Sequence, residues 1–139
     1  MGLESFGTVS FTSETKAADF VRYLEAGEVK TTQCQRCGKI YFPPRMDCQA
    51  CSFSEMEWIE IKELGELVAF STIMYGPTGF ENEVPYTIAV IRLANGVQIF
   101  GRIGKKIPFS EIQVGMKLKV SAIKLSSGRV SFEFQPSDQ

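Results

Sequence analysis

The chain has 139 residues, 44% of them hydrophobic and 22% charged, with a formal net charge of -1. That leaves room for one ordinary domain or two very small ones, in the balance of a folded rather than a disordered protein. It has four cysteines and no histidine, which excludes Ser-His and Cys-His nucleophiles, HExxH metalloprotease sites and imidazole metal ligands.

The first ten residues have an early Glu4 and no basic stretch, so they do not read as a signal peptide. Phe6 stands where the myristoylation pattern needs Ser or Thr. The first segment, residues 1–30, contains one helix, about Thr15 to Ala26, with Phe20, Tyr23 and Leu24 at i, i+3 and i+4. Thr12, Ser13 and Thr15 offer N-cap hydroxyls, and Gly27 sits where a C-cap glycine belongs. Its apolar stripe packs either on its own domain or on another subunit.

Residues 31–57 hold all four cysteines. From Trp58 onward the chain reads as strands. Gly65 to Tyr75 is a long β-rich run broken by Gly76-Pro77, and Tyr86 to Leu93 is joined to Val97–Ile103 through Asn95-Gly96, a strong hairpin signal. A short helical turn is predicted at Ser110 to Ile112. Met116–Leu125 and Val130–Phe134, joined by Ser126-Ser127-Gly128, each alternate between a buried and a wet face. Tyr86–Leu93 is apolar on both faces and is expected to be covered on both. Five strands with a helical element between the third and fourth follow the OB-fold order. The expected fold is therefore mainly β: a helix (1–30), a metal ribbon (31–57) and a five-stranded barrel (58–139).

The cysteine spacing is Cys34-x-x-Cys37 and Cys48-x-x-Cys51. Two such pairs form facing turns that aim four thiolates at one point, as a tetrahedral all-sulfur site requires. Gly38, directly after Cys37, suits a turn position that needs positive φ. Two disulfides do not suit a reducing compartment, and neither pair opens a helix in a βαβ unit as a redox CxxC would. Zinc is the preferred ion, although the same sulfurs accept iron. With all four ligands from protein, the site is structural, not catalytic.

The run Gln33-Cys34-Gln35-Arg36-Cys37-Gly38-Lys39-Ile40-Tyr41-Phe42-Pro43-Pro44-Arg45 resembles the DUF35 family, in which a rubredoxin-like zinc ribbon precedes an OB-fold. Trp58 after the fourth cysteine, Val84-Pro85-Tyr86 before the second barrel strand and Ile112 to Gly115 before the fourth add to the likeness. Gln49 and Ser52 depart from it, standing where proline and glycine are frequent, and imply a looser second knuckle. The resemblance implies a non-catalytic accessory protein of a thiolase-like acyl-CoA enzyme, helping to hold the acyl-CoA.

Candidate ligand or partner contacts are Arg45, Tyr75, Phe80, Tyr86, Lys105 and Lys106, with Arg92 and Arg102 as further basic candidates. The aromatics surround a long loop, Tyr75 to Pro85, which either docks a partner or acyl chain or folds back as a lid on the barrel. Glu81 and Glu83 make that loop acidic, which disfavours nucleotide phosphate there. The Lys105-Lys106 pair offers phosphate contacts or is a solvated surface pair. Gly101-Arg102-Ile103-Gly104 does not match a dinucleotide-binding glycine motif. No catalytic residues are assigned.

A nucleic-acid-binding ribbon/OB module is the alternative. It is disfavoured by charge, with 6 basic and 8 acidic residues up to Glu57 and 9 and 8 beyond it. A third reading is rubredoxin-like electron transfer. With no apolar run long enough to span a membrane, the protein is expected to be cytoplasmic.

Overall fold

The computed structural model describes Phe6 and residues 16–52, 54–82 and 84–137. The expected N-cap hydroxyls of Thr12, Ser13 and Thr15, the early Glu4 and the loop carboxylate of Glu83 lie outside the described residues. The chain divides into two compact units, Met1–Ile61 with Ala122–Ser131, and Lys62–Ser121 with Phe132–Gln139.

In the first unit a 3-10 turn, Lys16–Ala18, leads into helix α1, Asp19–Glu25. Residue Ala18 starts the helix without a side-chain cap. Asp19 compensates at the positive end of the dipole and pairs with Arg22 at 2.7 Å. The helix closes as a Schellman motif, with the Glu28 amide on the Tyr23 carbonyl at 2.9 Å and the Gly27 amide on Leu24 at 3.0 Å.

The helix packs in cis. Phe20, Val21 and Leu24 are buried, each worth about 1.5–3 kcal/mol of apolar burial. The partner surface is the three-stranded sheet β2-β1-β3, with β1 at Lys30–Cys34, β2 at Ile40–Tyr41 and β3 at Met56–Glu60. The Tyr23 ring lies 5.3 Å from Trp58 on β3 and has the Lys30 ammonium 4.3 Å above it. The Phe20 ring meets Phe42 edge-on at 5.9 Å.

Five strands form a closed barrel in the order β4-β5-β6-β8-β7. These are β4 Gly65–Ile73, β5 Tyr86–Leu93, β6 Gln98–Ile103, β7 Lys117–Lys124 and β8 Val130–Pro136, with a 3-10 turn at Phe109–Glu111 between β6 and β7. The core alternates as a barrel interior must: Leu67, Ala89, Ile91, Leu93, Ile99, Leu118 and Phe134 point inward and are buried. A bulge between Leu67 and Ala69 lets β4 bend around it.

The Asn95-Gly96 hairpin forms, but only Gly96 takes positive φ (91°). The Gly96 amide bonds the Leu93 carbonyl at 2.9 Å and the Leu93 amide bonds Val97 at 2.8 Å. This is the three-residue loop with a left-handed glycine, not the two-residue mirror-image turn. The expectation that β5 is covered on both faces is corrected. Thr87, Ala89, Ile91 and Leu93 are buried, whereas Tyr86, Ile88 and Val90 are only half-buried and Arg92 is exposed. A closed barrel has one interior, and residues of period two can give it only one face.

Candidate metal centre

Strand β1 delivers Cys34 to the mouth of the first turn, where the Gly38 amide bonds the Cys34 carbonyl at 3.0 Å and the Cys34 amide bonds Lys39 at 2.9 Å. The second turn repeats the first bond, Ser52 to Cys48, at 2.8 Å. The residue after each pair is left-handed: Gly38 at φ 80° and Ser52 at φ 62°. The two knuckles therefore share one backbone design, and the second imposes it on a residue with a Cβ.

The turns bring the four sulfurs together. Cys34 Sγ is 3.6 Å from Cys51 Sγ, Cys37 Sγ is 3.5 Å from Cys48 Sγ, and all four lie within 4.8 Å of one another. Metal–sulfur bonds of about 2.3 Å at tetrahedral angles put sulfurs about 3.8 Å apart, so the set fits one ion. Cys34 and Cys48 are buried, Cys51 is half-buried and Cys37 is exposed. Among the described residues this is the one cluster of metal-ligating side chains. It is a structural metal site.

The surroundings favour thiolate at the two buried cysteines. The Tyr41 hydroxyl, 3.3 Å from Cys48 Sγ, is the main reason that the Cys48 thiol is lowered from 9.0 to about 6, against an opposing push from burial. Cys34 is also lowered, chiefly by the Cys37 amide and then, against burial, by that of Arg36, at 3.5 and 3.4 Å from its sulfur. At Cys37 the Lys39 amide pulls downward, but Cys48, burial and Cys34 outweigh it and the thiol is raised. Tyr41 is raised because its hydroxyl is hydrogen-bonded to the Cys48 sulfur and because it is partly desolvated.

The segment from β2 to Cys48 is tied to β1 by two buried threonines. The Thr31 hydroxyl donates to the Tyr41 carbonyl, and Thr32 Oγ1 accepts the Arg45 amide at 2.8 Å. The Arg45 guanidinium is engaged locally, 3.4 Å from both Asp47 and Gln49 and 5.5 Å from the Tyr41 ring. Arg45 thus belongs to the ribbon, beside the cysteines.

The other candidates belong to the barrel. Phe80 and Tyr86 come together with ring centroids 6.2 Å apart, and Arg102 lies 5.0 Å from the Tyr86 ring and 5.9 Å from that of Phe80. Their loop folds on itself, with the Phe80 amide on the Pro77 carbonyl at 2.8 Å and the Gly79 amide on the Glu81 carboxylate at 3.0 Å. Tyr75 is not drawn into this cluster and is 91% exposed. Lys105 and Lys106 are exposed on the turn after β6. Sequence reasoning gave no role to Tyr41, which touches the cysteine cluster directly. Its only signal was membership of the aromatic-Pro-Pro-Arg run.

Residues 23–57 match the ChsH2 rubredoxin-like zinc ribbon domain, and residues 58–122 match the ChsH2 C-terminal OB-fold domain. The chain is 34% identical over 88 residues to a DUF35 domain-containing scaffold protein of Methanocaldococcus jannaschii, a match covering 63% of this chain and 62% of that one. It is 29% identical over 75 residues to benzoylsuccinyl-CoA thiolase subunit BbsA of Thauera aromatica, covering 54% of this chain and 51% of the other. The chain thus spans about half to three-fifths of the length of these two relatives. The fold is similar to that of a chain in the Ltp2–ChsH2(DUF35) aldolase structure, with a TM-score of 0.77 at 17% identity, over 91% of this chain and 99% of that one.

Proposed function

Since the chain belongs to the DUF35 family, we propose that it is a non-catalytic accessory scaffold. In this reading it docks on a thiolase-like acyl-CoA enzyme in the cytoplasm and helps to hold the CoA-linked substrate. The observation that carries the reading is the convergence of all four thiols on one point. Four protein ligands leave a metal no position for water or substrate, so the centre is a staple and not a reaction site.

The ion proposed for Cys34, Cys37, Cys48 and Cys51 is zinc. When bound it supplies the cross-link that lets a ribbon of residues 31–57, too short to bury a core of its own, hold its fold. Helix α1 braces that ribbon, and the barrel presents the binding surface.

The contacts we assign to partner and substrate are Tyr75, Phe80 and Tyr86 with Arg102 on the barrel, Lys105 and Lys106 on the next turn, and Arg45 on the ribbon. Aromatic faces suit an acyl or pantetheine chain, and the cations suit its phosphates. The names of the relatives, a scaffold protein and a thiolase subunit, support this class of partner.

Affinity capture of the tagged chain from its native host, followed by mass spectrometry, tests the proposal. It should recover a thiolase-fold enzyme of acyl-CoA substrates. Titration with single-stranded oligonucleotides at several salt concentrations should show only weak retention at a net charge of -1. Tight binding with a steep negative salt slope and no enzyme recovered would replace the scaffold with a nucleic-acid module.

A further inference from the structure

The two knuckles share a backbone but hold their buried sulfurs differently. In the first, the amides of Arg36 and Cys37, two and three residues after Cys34, donate directly to Cys34 Sγ. In the second, the Cys51 amide bonds Cys48 as the Cys37 amide bonds Cys34, but the amide two residues after Cys48, that of Ala50, is diverted. It donates to the Tyr41 hydroxyl at 3.4 Å, and the Gln49 amide donates to the same oxygen at 2.9 Å. That oxygen lies 3.3 Å from Cys48 Sγ. Having accepted two N–H groups, it turns its own proton to the sulfur.

We propose that Tyr41 is a hydrogen-bond relay that positions Cys48 as a metal ligand, passing the donor strength of two backbone amides to a sulfur they do not reach themselves. The inference rests on the reading of the four cysteines as a metal site.

The ribbon itself holds the phenol in place. Its backbone is paired with Thr32 in the β1–β2 register, its carbonyl accepts from Thr31, and the Lys39 and Arg45 cations each lie 5.5 Å from its ring centroid. A donor fixed in this way orients the thiolate lone pairs and withdraws charge from the sulfur. Outer-shell partners of metal ligands typically contribute ten- to a hundredfold in affinity. Here the lower end, about tenfold, is expected, because Gln49 and Ala50 are exposed and water can partly replace the phenol. The hydroxyl also ties the second knuckle to β2 through the Gln49 and Ala50 amides.

Tyr41→Phe removes the hydroxyl and leaves ring, cations and backbone in place. Zinc transfer to a chelator should be about tenfold faster than from the wild-type protein. In the cobalt-loaded variant the sulfur-to-cobalt absorption should move to lower energy, because a sulfur without its donor holds its electrons less tightly. In the zinc-loaded protein, alkylation mapped by peptide mass should rise at Cys48 and stay level at Cys34. A folded variant with unchanged release and unchanged absorption would overturn the relay. Should the variant not fold, the cadmium-113-loaded wild-type protein decides the matter. Amide protons of Arg36 and Cys37 should couple to the metal through sulfur and that of Ala50 should not, whereas coupling from Ala50 would overturn the proposal. A wild-type protein that takes up no zinc, cobalt or cadmium would instead overturn the metal reading itself.

Discussion

Ser52→Gly should stabilise the metal-bound ribbon, and Gly38→Ser should weaken it. The two residues close equivalent turns at φ 62° and φ 80°, and among the described residues the Ser52 side chain makes no hydrogen bond to offset its backbone cost. A left-handed residue with a Cβ costs about 1–2 kcal/mol. Glycine returns about 0.5–1 kcal/mol of that through the greater freedom of its unfolded state. The net gain at position 52 is therefore about 0.5–1 kcal/mol, and the loss at position 38 is of similar size. A Cβ at Gly38 would meet nothing closer than the Gln33 amide at 3.9 Å, so the effect there is conformational and not steric.

Because folding of such a ribbon is linked to metal binding, the change appears as about a two- to fivefold shift in zinc affinity. Chelator competition on wild type and both single variants measures it. If Ser52→Gly binds zinc no more tightly than wild type while Gly38→Ser is weakened, the equivalence of the two turns is refuted. If neither variant moves, backbone strain plays no part in the site.

Gly101→Ala places a Cβ 2.9 Å from the Phe132 ring and 3.0 Å from that of the fully buried Phe134. Such overpacking should cost about 1–3 kcal/mol in urea denaturation. Zinc affinity should be highest above pH 9 and fall as the pH is lowered from 9 to about 6. The folded Cys48 thiol is depressed from 9.0 to about 6, so its share of stability is complete above the unfolded value, is lost progressively between the two and is gone below the folded one. Chelator competition at stepped pH checks this, and an affinity unchanged between pH 9 and 6 would contradict it. Tyr75→Ala, at a side chain 91% exposed, should leave the melting temperature unchanged while weakening capture of the partner enzyme, because surface truncations away from packed features move stability by less than about 0.5 kcal/mol.

The sequence was most legible where one local rule decided the outcome. Period-two alternation in Met116–Leu125 and Val130–Phe134 placed β7 and β8, and Tyr86–Leu93 coincides with β5. The cysteine spacing foretold the cluster because two short turns are enough to build it. Less was legible where distant parts of the chain decide. The apolar residues Ile88 and Val90 suggested a second covering layer, but barrel closure turns them to a half-exposed outer face. Strand β3 has no clean alternation to announce it, and its pairing with β1 in register, Thr32 opposite Trp58, depends on residues far apart in sequence. Tyr41 was hidden for the same reason. Only the fold of the ribbon brings its hydroxyl seven residues along the chain to Cys48.

The scaffold account stands or falls on what this chain binds when it is intact. Native mass spectrometry of the complex captured from the host measures that directly. The account predicts one assembly containing this chain, one zinc ion on its four cysteines and a thiolase-fold acyl-CoA enzyme. Recovery of the zinc-loaded chain alone, or with nucleic acid in place of an enzyme, would contradict it.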